Sequence, residues 1–343
     1  MLLDPCELPG IGTIRNRIVM APMTRSFAPG HIANERMADY YARRAEAGAG
    51  LIVTEGTVIH PSGDGYRDVP YIETLAHANA WRPIVARVQA AGGRLLCQLW
   101  HCGRISHADF TGGVPPVSST DKPAEGMNRQ NNKPFGTPRA LSPEDMPAVY
   151  AQFANAARQA LAAGFDGVEL HFANGYLADQ FMDARVNERT DGYGGSVANR
   201  CRFPLDCLQA VIDAVGAARV AVRLSPVRDM GGIYEWPDLD TMIGHLVPAM
   251  AERGLTKLAV TNARADYWQT GARVVRKVRP LWPHFLMAGA SLRQEEAERE
   301  IAEGWIDAAM WGRFFIANPD LARVFAAGAT PKDFEPAMLA ELR

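Results

Sequence analysis

The densest group of reactive side chains in this sequence is His171-Phe172-Ala173-Asn174-Gly175-Tyr176. A His and an Asn can both donate hydrogen bonds to one carbonyl oxygen, and a Tyr beside them can donate a proton. The run follows Gly167-Val168-Glu169-Leu170, an apolar stretch that reads as a buried strand. A barrel presents side chains to a ligand just past its strand ends. A lone His at such a place is more often a satisfied core residue or a metal ligand. Metal-binding barrels carry several His and carboxylates on different strand ends, often as H-x-H. The eight His here form no such motif, so no metal site is expected.

Other candidates stand at the ends of other apolar runs. Gln98, in Gln98-Leu99-Trp100-His101, offers a donor and an acceptor on one amide. Trp100 reads either as a pocket wall or as core packing. Gly56, after Thr54-Glu55, lets the backbone approach a planar ring. Arg223, in Val222-Arg223-Leu224-Ser225-Pro226, is costly to bury unless an anion or a carboxylate meets it. Gly289-Ala290-Ser291 and Trp311-Gly312-Arg313-Phe314 end the last two runs. Barrels bind phosphate there through backbone N–H groups, and Arg313 adds a charged donor.

Eight short apolar runs position these residues: 17–23, 51–56, 94–100, 167–172, 220–226, 256–262, 285–290 and 307–313. They are continuous rather than alternating, as strands buried on both faces are. Amphipathic stretches such as 145–163 and 198–215 lie between them. Strand–helix repetition implies a parallel sheet, and eight repeats imply one (β/α)8 TIM barrel spanning residues 1–343. An open doubly wound sheet is the weaker alternative, because no G-x-G-x-x-G follows the first strand. Residues 103–143, rich in Gly, Pro, Ser and Asn, are too long for a simple crossover. They read as a lid over the catalytic face, or else as a disordered loop.

The charge balance, 36 basic against 38 acidic residues, favours neither nucleic acid nor an anionic membrane. No apolar run is long enough to span a bilayer. Met1-Leu2-Leu3-Asp4-Pro5 lacks the basic start of a secretory signal. Five cysteines without a C-x-x-C read as free thiols in a reducing compartment, which means cytoplasm.

The run from His171 through Gln180-Phe181, followed by Arg189-Thr190-Asp191-Gly192-Tyr193-Gly194-Gly195, resembles the Old Yellow Enzyme family of flavin-dependent ene-reductases. Ala21-Pro22-Met23-Thr24-Arg25, Arg223-Leu224-Ser225-Pro226 and the string from Gly312 to Leu321 carry the same resemblance. It covers the chain from Asn16 to about Phe325. The resemblance implies noncovalently bound FMN. Pro22, Met23, Thr24 and Gly56 would contact the flavin, with Thr24 bonded to its O4. Gln98 would meet its pyrimidine edge, and Arg223 would face the negative charge that reduction places around N1 and O2. Gly289, Ala290, Gly312 and Arg313 would hold the phosphate. His101-x-Gly103-Arg104 matches a family motif and looks structural. Having Thr24 sets the chain apart from a second group in the family, which has Cys there.

The implied activity is reduction of α,β-unsaturated carbonyl or nitro compounds with hydride from NAD(P)H, in a ping-pong cycle. His171 and Asn174 would polarise the substrate oxygen, and Tyr176 would protonate the α-carbon. The expected assembly is a monomer or a homodimer. Two departures from the family pattern stand out. The seventh-run motif, usually close to G-G-[YF], reads Gly289-Ala290-Ser291. Residues 331–343 lack the Tyr-rich tail that often lines the site. Tyr267 and Trp268, after the sixth run, are expected to supply the missing wall beside Trp100, or else to pack that loop onto the barrel. Two rivals remain: the flavoprotein module of a dienoyl-CoA reductase, disfavoured for want of a cysteine cluster, and a flavin-binding redox sensor without turnover.

Overall fold

The computed structural model describes residues 1–229, 231–261 and 265–343. Its centre is a closed parallel barrel. The strands are β1 (Ile18–Met20), β2 (Leu51–Val53), β3 (Arg94–Trp100), β4 (Gly167–His171), β5 (Val220–Leu224), β6 (Lys257–Val260), β7 (Phe285–Ala290) and β8 (Ala308–Trp311). Each pairs in parallel with the next, and β8 pairs with β1 to close the ring. Every expected run holds one strand. Two strands, β3 and β7, fill their runs; the other six are shorter because residues at the run ends leave the ladder to form the loops. The sixth run was expected to reach Asn262, which lies outside the described residues.

Helices alternate with the strands: α1 (Glu35–Glu46), α2 (Leu75–Ala90), α3 (Met146–Ala163), α4 (Leu177–Met182), α5 (Val197–Val215), α6 (Leu239–Glu252), α7 (Gly271–Val278), α8 (Gln294–Ala302), α9 (Arg313–Ala317) and α10 (Leu321–Ala326). Their apolar faces and the outward strand residues form the larger core, with Trp81, Phe153, Phe165, Phe203 and Leu246 among its buried members. A second cluster, including Val19, Val53, Leu96, Ala221, Ala259, Met287 and Met310, fills the barrel interior. It also contains Leu8 and Ile14 of an antiparallel hairpin, Cys6–Leu8 with Gly12–Ile14. This hairpin closes the N-terminal end of the barrel. Lys257, at the start of β6, donates to Pro9 O and Ala218 O there, and burial lowers its pKa to about 8. With that end filled, the strand C-termini are left to hold a site.

Residues 103–143 are held by local pairing and by polar contacts. Val117–Ser118 pairs with Arg139–Ala140, and Met127–Asn128 with Lys133–Pro134. Ser118 Oγ donates to Gln180 Oε1 (2.9 Å) and Ser119 Oγ to Gln180 O (2.7 Å). Arg189 donates to Ser119 O and Leu141 O. The Arg189–Gly195 motif therefore fastens this segment to the chain after β4. Among the described residues, no helix is long and apolar enough to cross a membrane.

Candidate active site

Strand register sets the site. In parallel pairing, Gln98 of β3 lies beside Glu169 of β4, and His171 of β4 beside Arg223 of β5. Side chains two apart on a strand share a face. Gln98 with Trp100, Glu169 with His171, and Arg223 with Ser225 therefore all enter the barrel mouth. After β4 the chain turns sharply. Asn174 adopts φ +59°, a left-handed conformation that Asn tolerates better than most residues. Two bonds hold that turn: Asn174 N–H donates to Ser225 Oγ (2.7 Å), and Gly175 N–H to Asp179 Oδ2 (2.8 Å). Tyr176 then begins α4.

The result is an aromatic cluster. The Tyr176 ring lies 5.0 Å from His171 and 4.9 Å from Trp100, edge-on to both. Trp100 stacks over His171 at 6.3 Å. Tyr66, from the loop after β2, lies 4.9 Å from Trp100, and its hydroxyl is 3.0 Å from that of Tyr176. Sequence reasoning missed Tyr66. It lies 110 residues from its partner, and no local spacing marks it. Trp100 is 1% exposed and backs the cluster, supporting Tyr66 and Tyr176 from behind. A Cβ on Gly56 would stand 2.5 Å from the Trp100 indole, so the close packing there needs glycine.

Burial governs the electrostatics. It holds His171 well below its usual pKa, helped by the Arg223 charge, so the imidazole is neutral at pH 7. Its buried Nδ1 has no hydrogen-bond partner. Burial pushes Tyr176 well above the usual phenol range, so it keeps its proton across neutral pH. Arg223 donates through Nε to Thr261 O (3.2 Å) and, among the described residues, makes no ion pair within 4 Å. His101 accepts from Gly103 N–H at 3.1 Å, and burial lowers its pKa to about 3.

The remaining candidates form the rim. Thr24 is exposed on the loop after β1. A Cβ on Gly312 would lie 3.3 Å from Met23 Sδ, so the ends of β1 and β8 meet there. Gly289 packs so tightly against Met310 that a Cβ would lie 2.1 Å from its carbonyl oxygen. Ala290, where the family more often has Gly, takes φ +157°. Arg313 opens α9 and stacks over Phe334 (5.6 Å). The C-terminal segment crosses this side, with Arg25 donating to Met338 O (3.3 Å) and Glu341 O (2.6 Å). A cavity of about 140 Å³ lies beside the catalytic cluster, sharing only its Asn174–Gly175 edge.

Tyr267 and Trp268 do not form a wall of this site. Tyr267 is fully buried and donates to Glu300 of α8 (2.6 Å). Trp268 Nε1 donates to Glu296 at the start of α8 (3.0 Å). Two acids of α8, the buried Glu300 and the partly exposed Glu296, draw the two aromatics away from the mouth. Among the described residues, no group of three or more His, Cys, Asp or Glu could hold a metal.

A flavin fits what is present. Among the described residues, the buried Arg223 has no ion-pair partner and His171 Nδ1 is unsatisfied, and the β7 and β8 ends approach closely with an Arg beside them. These are a cation for an electron-rich ring and a phosphate cradle on one barrel face. Fold and site thus define a flavin-dependent oxidoreductase of the TIM-barrel class. The sequence matches the NADH:flavin oxidoreductase / NADH oxidase family over residues 2–330. It is 38% identical to 12-oxophytodienoate reductase 7 of Oryza sativa subsp. japonica, over 96% of this chain and 88% of that protein. Its fold matches morphinone reductase, solved in complex with tetrahydroNAD, with TM-score 0.89, 35% identity, and coverage of 98% and 93%. The old yellow enzyme homologue of Zymomonas mobilis gives TM-score 0.90, 34% identity, and coverage of 98% and 96%. The chain belongs to the NADH:flavin oxidoreductase / NADH oxidase family, of Old Yellow Enzyme type. It is an FMN-dependent, NAD(P)H-consuming oxidoreductase that reduces activated carbon–carbon double bonds.

Proposed function

We propose that the chain reduces α,β-unsaturated ketones and nitroalkenes by a ping-pong cycle, with His171 and Asn174 holding the substrate oxygen and Tyr176 supplying the proton. FMN, once bound, would supply a two-electron carrier between NAD(P)H and the alkene. The chain's own residues do the rest. His171, neutral, donates from its ring, and Asn174 from its amide, so charge developing on the substrate oxygen meets two fixed donors. The Tyr176 O–H delivers its proton to the α-carbon. Tyr66 holds that hydroxyl in place, and Trp100 supports both phenols. Gln98 and Arg223 would hold the pyrimidine edge of FMN. Pro22, Met23, Thr24 and Gly56 line its ring, while Gly289, Ala290, Gly312 and Arg313 hold its phosphate. Residues 103–143 serve as the lid that excludes water. The chain works in the cytoplasm as a monomer or homodimer.

The observation that carries this reading is the Tyr176 hydroxyl, held 3.0 Å from Tyr66 with its ring against His171. Stopped-flow spectroscopy separates the half-reactions. Tyr176→Phe is expected to slow reoxidation by cyclohexenone while reduction by NAD(P)H stays near normal. His171→Ala or Asn174→Ala is expected to cost on the order of 10²-fold in the alkene half. Equal slowing of both halves by Tyr176→Phe would remove the proton-donor assignment.

A further inference from the structure

One charged group in the barrel mouth has no part in the scheme above. Glu169 precedes His171 by two residues on β4 and enters the barrel one layer deeper. Its side chain is completely buried. Oε1 accepts from Gln98 Nε2 at 2.7 Å, and Oε2 has no hydrogen-bond partner. An incompletely satisfied buried carboxylate is destabilising, and a layer serving only packing would be filled by Leu or Val. Arg223 stands on the other side of β4 and interacts with Glu169 through space. The acid therefore lies beneath both residues assigned to the flavin's pyrimidine edge.

We propose that Glu169 is a positioning residue of the flavin site, which fixes the atom that Gln98 presents to the flavin and tempers the positive charge of Arg223. The proposal rests on the flavin reading of this site. Burial raises the pKa of Glu169 while the nearby Arg223 charge and the Gln98 bond hold it down; as an ionised carboxylate it only accepts hydrogen bonds, so Gln98 turns its amide nitrogen down toward it. Its carbonyl oxygen then faces the mouth. The pyrimidine edge of a flavin carries one imide N–H between two carbonyls, and an outward-facing oxygen is the group that accepts from that N–H. The charge has a second effect. Electrons added to the ring are favoured by Arg223 and opposed by Glu169, so the pair sets how readily the ring is reduced.

Glu169→Gln keeps the shape, removes the charge and leaves the Gln98 amide free to flip. The midpoint potential of bound FMN, read by equilibration with a redox dye, should move to a more positive value. FMN dissociation, followed by recovery of flavin fluorescence, should become on the order of tenfold easier. Wild-type protein supplies a test independent of how the variant folds. It should bind N3-methyl-FMN, which lacks the imide proton, at least tenfold more weakly than FMN. If Glu169→Gln shows an unchanged potential and FMN affinity, or if wild-type protein binds both flavins equally, Glu169 only fills the barrel. Wild-type protein that binds no FMN at all would instead overturn the flavin reading itself.

Discussion

At the scale of single residues, the proposed chemistry depends on a phenol that keeps its proton and stands beside a second phenol. Burial keeps Tyr176 protonated, and the Tyr66 hydroxyl fixes where that proton points. Tyr66→Phe removes the hydrogen bond but keeps the ring against Trp100. The expected result is an alkene half-reaction slowed on the order of tenfold, with reduction by NAD(P)H unchanged. Stopped-flow traces at matched substrate saturation decide it, and an unaffected alkene step would leave Tyr66 a packing residue. His171, Asn174 and Tyr176 were legible because they share one strand end. Tyr66 and Glu169 were not. Tyr66 meets its partner only through the fold, and Glu169 lies within an apolar run that reads as plain core. Tyr267 and Trp268 were misassigned because spacing locates a loop but not the direction its side chains take. Glu300, 33 residues beyond Tyr267, sets the direction of Tyr267, and Glu296 that of Trp268.

At the scale of elements, the loop after β1 is held by an acid at the end of β2. Glu55 Oε2 accepts from the backbone N–H groups of Arg25 (3.1 Å) and Ser26 (3.3 Å), next to Thr24. Burial raises its pKa from 4.5 to about 7. A carboxyl whose folded pKa exceeds its unfolded value binds more protons folded than unfolded between the two. Its contribution to stability is complete below about pH 4.5 and is lost as pH rises through about 7. The loss amounts to about 3 kcal/mol. Thermal unfolding of wild type and Glu55→Gln, compared from pH 5 to pH 8.5, should show the variant gaining relative stability as pH rises. A constant difference across that range would show that Glu55 does not titrate there. The strands were legible because barrel strands are continuous apolar runs. The role of Arg189–Gly195 as a clasp on residues 103–143 was not, since its partners Ser119 and Leu141 lie far away in sequence.

At the scale of the whole molecule, closure at one end and polarity at the other divide the barrel between stability and function. The hairpin and the Val19–Met310 cluster fill the N-terminal end with apolar side chains, while the C-terminal mouth holds Glu169 and His171 each with an unpaired polar atom and, among the described residues, Arg223 without an ion pair. Such groups cost free energy until a ligand meets them, so the cofactor belongs to the stability of the fold as well as to its chemistry. The eightfold pattern of runs made this architecture readable, whereas the balance of charge in the mouth depends on register between strands. Removing FMN should lower the midpoint of thermal unfolding, and returning it at about a hundred times its dissociation constant should restore about 2.7 kcal/mol, several degrees for a chain of this size. Arg223→Met tests the same argument from the other side. It removes the cation and keeps the volume, and the buried Glu169, whose pKa burial already raises, takes up a proton once that charge is gone; the apo protein should then melt no lower than apo wild type, while FMN no longer raises the midpoint. Scanning calorimetry of both proteins with and without FMN decides the matter. If apo Arg223→Met melts well below apo wild type, Arg223 holds the barrel together through its bond to Thr261 O, and the division between a stabilising end and a functional end is wrong at this residue.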